Sequence, residues 1–401
     1  MRCLYIVKDD PLSPNWSGGG AAIYYDQLLH LKSIGCTITL LHYASESARK
    51  KFIEHNSNHP EEWRKINEAC REIVLLDYKL SKDLLQGKLI NKLYNLIAGH
   101  AFRTPREFSH IIGNIKNKVK SNEIGIIWAQ HLQPAILALN ANCGPVVFMH
   151  HDWLFRIKAI KNDKLENIGQ KNLEYNVCRK ATSVVSGSSS EFNEIYKLGQ
   201  IKVFQIPVTY DTPHITQSPL KDQADIVHLG GMGTTANRIG LSNFIFNAWD
   251  SLGLPDKKLV IAGSVVGAGD VLENELRRFS TKGFVKDLSE VMHYGDIHII
   301  PWHKNTGQRT RLPLVLAYGQ VVVAVRQSIE GFPEMKDNYN CFLVNSVEEM
   351  PDAIKKVMGD LELRKYIADN AQKTYKKFYS KESVHIRYRS VLSSINEFSN
   401  K

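Results

Sequence analysis

Short apolar, β-branched runs alternate along this chain with longer stretches whose apolar positions recur at helical spacing. Arg2 to Val7 reads as a strand, PLSPNWSGGG as a loop, Ala21 to Ile34 as a helix and Cys36 to His42 as a second strand. Such an opening predicts a doubly wound α/β domain. Charged helical patterns follow over Ser45–His55 and Pro60–Glu72, then a short strand, Ile73–Leu76, and helical stretches over Leu80–Phe102 and Thr104–Asn122. Strands are predicted at Ile124–Ala129, Pro145–Met149, Thr182–Ser186 and Val203–Ile206, with helices between them. Prolines 207, 213 and 219 mark a linker. A second α/β series starts at Ile226–Leu229 and continues through helix Leu241–Leu252, strand Lys258–Ala262, helix Val271–Phe279 and strand Gly283–Val285.

The stretch DIHIIPWHKNTGQRTRLPLVLAYGQVVVA, Asp296 to Ala324, points furthest toward chemistry. A buried-strand pattern ends at Pro301, a polar loop carries Gly307, Arg309 and Arg311, and an apolar helix runs from Leu312 to Tyr318 ahead of another β-branched run. Ligands of open α/β sheets bind at the C-terminal ends of strands. The start of a helix at Thr310 offers free N–H groups and a partial positive charge, and arginine forks match phosphate oxygens. The pattern predicts a phosphate or diphosphate site; the competing reading is a surface loop with solvated arginines.

The 401 residues suggest two domains, and 43% hydrophobic with 23% charged content is that of a folded protein. No apolar run is long enough to span a membrane, and MRCLYIVKDD does not read as a signal peptide. Six scattered cysteines show no metal or redox spacing, so a reducing, cytoplasmic setting is expected. The net charge of +10 is spread along the chain, without zinc-finger, RRM-like or basic-zipper patterns. It favours a phosphorylated ligand or an anionic lipid surface, and nucleic acid is not expected. Leu84 to Phe102, with Lys88, Lys92 and His100 beside its apolar face, reads either as peripheral membrane contact or as a core-facing helix.

Taken in order, SGGGAAIYYDQLLHLKSIGCTITLLH, IIWAQHLQPAILAL, VVFMHHDW, ATSVVSGSSSEFNEIYKLG, VHLGGMG with NRIGLSNFI, and GFVKDLSEVMHYGDIHIIPW with TGQRTRLPLVLAYGQVVVA resemble the retaining glycosyltransferases of family four, the "group 1" glycosyltransferases. Both halves of the chain take part. The resemblance implies an α/β GT-B fold, two Rossmann-like doubly wound domains facing across a cleft. It implies an acceptor-side domain over 1–210, a nucleotide-sugar donor domain over 211–385, and a helix over 386–401 crossing back to the first domain. It further implies transfer of a hexosyl or related sugar from a nucleotide-diphosphate sugar to a glycan or lipid-linked glycan, with retention and without a metal. No cofactor is expected, and no D-x-D motif precedes the site.

By the same resemblance, Arg238, Arg309, Arg311, Gly307 and Thr310 receive the donor phosphates, and His151 lies beside the donor sugar. The adjacent His150 alternates to the other face. Gly18, Gly19 and Gly20 serve either as a plain turn or as a place where phosphate or sugar approaches backbone N–H groups. His131 is an acceptor-side candidate, and Glu330 and Gly331 lie either near a cleft mouth or in a surface turn. In the family the first glutamate of an E-x7-E pattern lies near the donor sugar and the second holds the ribose hydroxyls; that pattern is missing here, where Thr306 and Leu314 stand at the two positions. That departure keeps a non-catalytic glycan- or partner-binding GT-B protein as an alternative, beside a nucleotide-sugar epimerase-like enzyme.

Overall fold

The computed structural model describes residues 1–14, 16, 19–79, 106–159, 164–199, 201–209, 218–304 and 309–399. The chain divides into two compact units, Met1–Pro207 with Val384–Lys401, and Val208–Asn305 with Arg309–Ser383.

The first unit is built on a parallel sheet of seven strands in the order β3-β2-β1-β4-β5-β6-β7. These are β1 (Arg2–Lys8), β2 (Thr37–Ser45), β3 (Cys70–Tyr78), β4 (Ile126–Gln130), β5 (Val146–His150), β6 (Ser183–Ser186) and β7 (Val203–Gln205). Helices α1 (Gly19–Ser33), α2 (Glu46–Asn58), α3 (Pro60–Ala69), α4 (Ser109–Ser121), α5 (Leu132–Ala141), α6 (Leu154–Ala159), α7 (Lys164–Lys180) and α8 (Ser189–Tyr196) fill the connections. The central strands are apolar because both of their faces are covered: Leu4, Ile6, Ile127, Phe148 and Val184 join one core with helix residues such as Ile111 and Ala138. The strand order reverses between β1 and β4, so the segments leaving these two strands part and open a crevice at their C-terminal ends.

The second unit repeats the plan with six parallel strands in the order β10-β9-β8-β11-β12-β13. They are β8 (Ile226–Leu229), β9 (Leu259–Ala262), β10 (Ser280–Gly283), β11 (Ile297–Ile300), β12 (Val321–Val325) and β13 (Cys341–Val344). Its helices are α9 (Thr235–Asn247), α10 (Asp270–Leu276), α11 (Leu312–Ala317), α12 (Met350–Gly359) and α13 (Leu361–Phe378). Here the reversal falls between β8 and β11.

The last helix, α14 (Lys381–Ser399), leaves the second unit and from Val384 belongs to the first. His385 Nε2 lies 2.9 Å from Ser33 Oγ, Tyr388 stacks on His30, and Lys202 donates to the Ser394 carbonyl. No helix among the described residues is long and apolar enough to cross a membrane. The 84–102 stretch lies outside the described residues.

Several boundaries differ from the pattern-based reading, each for a local reason. The helical stretch expected over 60–72 stops at Ala69, and Cys70 turns extended to begin a β3 longer than the expected 73–76. Ser45 ends β2 and accepts a hydrogen bond from the Ala48 amide, so α2 starts at once. The strand expected at 283–285 is instead the polar STKG at 280–283, on the sheet edge. Gly283, with φ +63°, terminates it. Helix α9 begins six residues before the expected Leu241, and the segment ends in a separate tight turn, Trp249–Leu252.

Strands β8 and β9 approach each other too closely for a side chain at their ends. Gly263 has φ +143°, and a Cβ there would lie 2.5 Å from the Gly230 carbonyl carbon. Backbone cannot move aside as a flexible side chain can. Gly263→Ala is therefore expected to destabilise the second unit by about 2 kcal/mol or more, read as a lowered unfolding midpoint in urea.

Candidate functional site

In the first unit the crevice between β1 and β4 gathers an imidazole pair and a tyrosine. His131 follows β4 with a left-handed backbone, φ +69°, and His151 follows β5. Their rings stack at 4.0 Å, and Tyr24 from α1 meets both edge-on at 5.6 Å. Gly20 lies in the first turn of α1; a Cβ there would sit 2.8 Å from the Tyr24 hydroxyl and 3.5 Å from His131 Nε2. The structure thus brings Gly20, His131 and His151 to one place. Gly19 opens α1, and Gly18 lies outside the described residues.

Burial, with the neighbouring His150 next, holds His131 down at about 4. Burial and the adjoining His131 and His150 hold His151 well below the usual histidine value. Both are neutral imidazoles near pH 7, suited to hydrogen bonding rather than to acting as standing cations.

His150 faces elsewhere. It is buried edge-on to Trp153 and lies 3.3 Å from Glu191. Burial works against its charge, but Glu191, with Glu174 and Asp152 behind it, outweighs that and raises its pKa. Glu174 caps the next segment, accepting from the Leu154 and Phe155 amides at 2.9 and 3.1 Å. The two carboxylates therefore fix the chain on both sides of His151.

Behind His151 lies a buried polar chain that the hydropathy pattern does not single out. His151 Nε2 meets Gln130 Oε1 at 2.9 Å, and Gln130 Nε2 donates to Gln27 Oε1 at 2.7 Å and to the Tyr5 hydroxyl at 2.5 Å. Polar residues inside otherwise apolar elements, such as Gln130 in IIWAQ, are the available sequence signal.

In the second unit the arginines fan out over several strand ends instead of forming one cluster. Arg311 Nη1 donates to the Leu229 carbonyl at 3.0 Å, at the end of β8. A Cβ on Gly230 would lie 2.5 Å from that nitrogen and 2.3 Å from Asn237 Nδ2, so glycine is what lets Arg311 and Asn237 converge there. Asn237 also donates to the Gly231 carbonyl at 3.0 Å and is a site neighbour that the sequence reading missed. Arg238 donates to the Gly267 carbonyl in the loop after β9, at 3.2 Å. It lines an open groove of about 420 Å³ between α9 and α10, with Asn243, Phe246 and Val271. Arg309 donates to the Ser328 carbonyl in the turn after β12, at 3.2 Å, and to the Lys304 carbonyl at 3.4 Å. Thr310 is half-buried just before α11, and Gly307 and Thr306 lie outside the described residues.

The charge of Arg311 is felt below it. Burial first, then Arg311, lowers His228 to about 4, and burial followed by His228 lowers His298 to about 3. Leu314 is buried in the apolar cluster with Val315, Leu316 and Val322, and its side chain has no hydrogen-bonding atom to offer a ribose. Glu330 is exposed and Gly331 buried, both beyond the β12 turn. Among the described residues, no group of three or more His, Cys, Asp and Glu side chains is arranged to hold a metal ion.

The burial of the imidazole pair has a direct readout. The ring signals of His131 are expected to stay unshifted in an NMR titration between about pH 5 and 8, where an ordinary histidine titrates. An inflection near 6.5 assigned to His131 would show that the pair is solvated and its environment misread.

Residues 223–360 match the family model described as Glycosyl transferases group 1. No curated protein matches the chain. Among solved structures, a sucrose-phosphate synthase from Thermosynechococcus elongatus superposes with a TM-score of 0.70 at 12% identity, covering 100% of both chains. TarM superposes at 0.67 and 12% identity over 98% of each chain; a related structure of it is from S. aureus. HepE from Anabaena, in complex with UDP, superposes at 0.66 and 15% identity over 98% of this chain and 100% of that one. At such identities the superpositions speak for the fold, and the family match speaks for the second unit. The chain therefore carries a group 1 glycosyl transferase domain over residues 223–360, within a GT-B-type fold of two parallel-sheet, Rossmann-like units.

Proposed function

We propose that the protein moves a sugar from a nucleoside-diphosphate sugar to a glycan or lipid-linked glycan acceptor, with retained anomeric configuration and no metal requirement. The observation that carries this reading is the group 1 match over the unit that bears Arg238 on α9 and Arg309 and Arg311 in the segment between β11 and α11. HepE structures in complex with UDP and with UDP-glucose support a nucleotide-sugar donor by likeness of fold.

In this reading the second unit holds the diphosphate. Arginine N–H groups, already oriented by backbone carbonyls, take on the negative charge that grows on the leaving diphosphate. Because they supply the positive charge, no metal is needed to neutralise it. In the first unit a neutral His151 orients the sugar by a hydrogen bond. By the family resemblance, retention follows from attack on the same face as the departing diphosphate, which accepts the acceptor's proton.

Leu314 favours one second reading, a GT-B protein that binds glycans without turning them over, because a buried leucine stands where the resemblance places a ribose-holding glutamate. Titrating UDP, GDP and ADP, then assaying transfer from the matching donor sugars in excess EDTA, separates the two. Transfer in EDTA with retained configuration in the product supports the proposal; binding without turnover favours the second reading.

Arg309→Ala and Arg311→Ala are each expected to weaken a nucleoside diphosphate by about 1.5–3 kcal/mol more than the bare nucleoside in calorimetric titration. Equal losses for both ligands would remove the phosphate assignment. His151→Ala is expected to lower turnover by roughly two to four orders of magnitude with nucleotide binding nearly unchanged. His150→Ala serves as the comparison, and thermal melts control for folding.

A further inference from the structure

The hydrogen bonds behind His151 have a direction that can be read from one end to the other. Trp128 Nε1 carries a hydrogen and accepts nothing, so the Gln27 atom 3.2 Å away is the amide oxygen. That oxygen lies 2.7 Å from an amide atom of Gln130, which must then be the nitrogen. Tyr5 gives the same answer independently. Its hydroxyl hydrogen goes to the Tyr24 carbonyl at 2.8 Å, so it offers a lone pair to the Gln130 nitrogen at 2.5 Å. Both hydrogens of the Gln130 amide are thereby used, and its oxygen is left facing His151 Nε2 at 2.9 Å. An amide oxygen only accepts, so Nε2 carries the ring hydrogen and the lone pair belongs to Nδ1. Among the described residues, Nδ1 makes no hydrogen bond.

We propose that Gln130 is a positioning residue that holds His151 in its Nε2–H tautomer, so that the ring offers Nδ1 as a hydrogen-bond acceptor to a substrate hydroxyl. The catalytic half of this statement rests on the function proposed above, whereas the tautomer does not. Gln27 and Trp128 hold Gln130 the right way round, and Tyr5 prevents the amide from flipping. Burial beside two other imidazoles keeps the ring neutral, so the tautomer decides whether it gives or takes a hydrogen bond.

The test uses the full chain labelled with ¹⁵N-histidine. Long-range ¹H–¹⁵N spectra distinguish the two tautomers, and the His151 signals are identified by their loss in His151→Ala. The wild type is expected to show the Nε2–H pattern without any substrate present. Gln130→Met keeps the side-chain length but removes the acceptor; it should give a mixed tautomer and lower kcat on the order of 10²-fold with little change in the donor KM. Gln130→Glu keeps an oxygen against Nε2 and should keep the hydrogen there. A wild-type Nδ1–H pattern would overturn the proposal, as would a folded Gln130→Met that retains both tautomer and kcat. If Gln130→Met does not fold, the wild-type and Gln130→Glu spectra decide. An Nε2–H pattern in a protein without transferase turnover would leave the tautomer assignment standing and count against the proposed function instead.

Discussion

A buried polar group must find a partner, and the first unit is arranged around a line of such groups. Tyr5, Gln27, Trp128 and Gln130 come from β1, α1 and β4, the three elements that border the crevice. Each is enclosed, and leaving any one unpaired would cost about 1–3 kcal/mol. The requirement ties the helix after the glycine loop to the two central strands at a fixed height. The placement of Tyr24 and His131 follows from it, since Tyr24 lies on α1 and His131 directly follows β4, while His151, after β5, is tied to the line through Gln130.

The second unit solves a similar problem with backbone instead of side chains. Gly230 and Gly263 allow two strand ends to touch, and the space so left is filled by Arg311 and Asn237. The guanidinium is held by a carbonyl at the end of β8, and its charge reaches the two buried histidines beneath it, which stay neutral. Cationic and neutral groups are thus sorted by depth: arginines at the strand ends and imidazoles under them.

How much of this was legible in the sequence depended on how far each signal travels along the chain. Central strands such as β1, β11 and β12 are covered on both faces, so their composition announced them. The edge strand β10 is polar and half-exposed, and its STKG carries no such mark. His131 and His151 were visible because each follows a strand directly. Gln130 was not, because its partners Tyr5 and Gln27 lie more than a hundred residues away. The reach of Arg309 toward Ser328, and of Arg238 toward Gly267, is likewise set by where loops from other strands arrive, which no local pattern encodes.

The path of the last helix bears on how the protein is made. Tyr388 packs on Trp128, the residue that starts the polar line, and also stacks on His30 of α1. The first unit is therefore discontinuous: its sheet is synthesised first, but a piece of its core arrives only after the whole second unit has left the ribosome. Domains generally fold in order of synthesis. Here the earlier domain must wait, with the His30 and Trp128 surfaces uncovered, for the end of the chain. A truncation after residue 383 would consequently show itself as a defect of the N-terminal unit, while the unit adjoining the cut kept its own sheet intact.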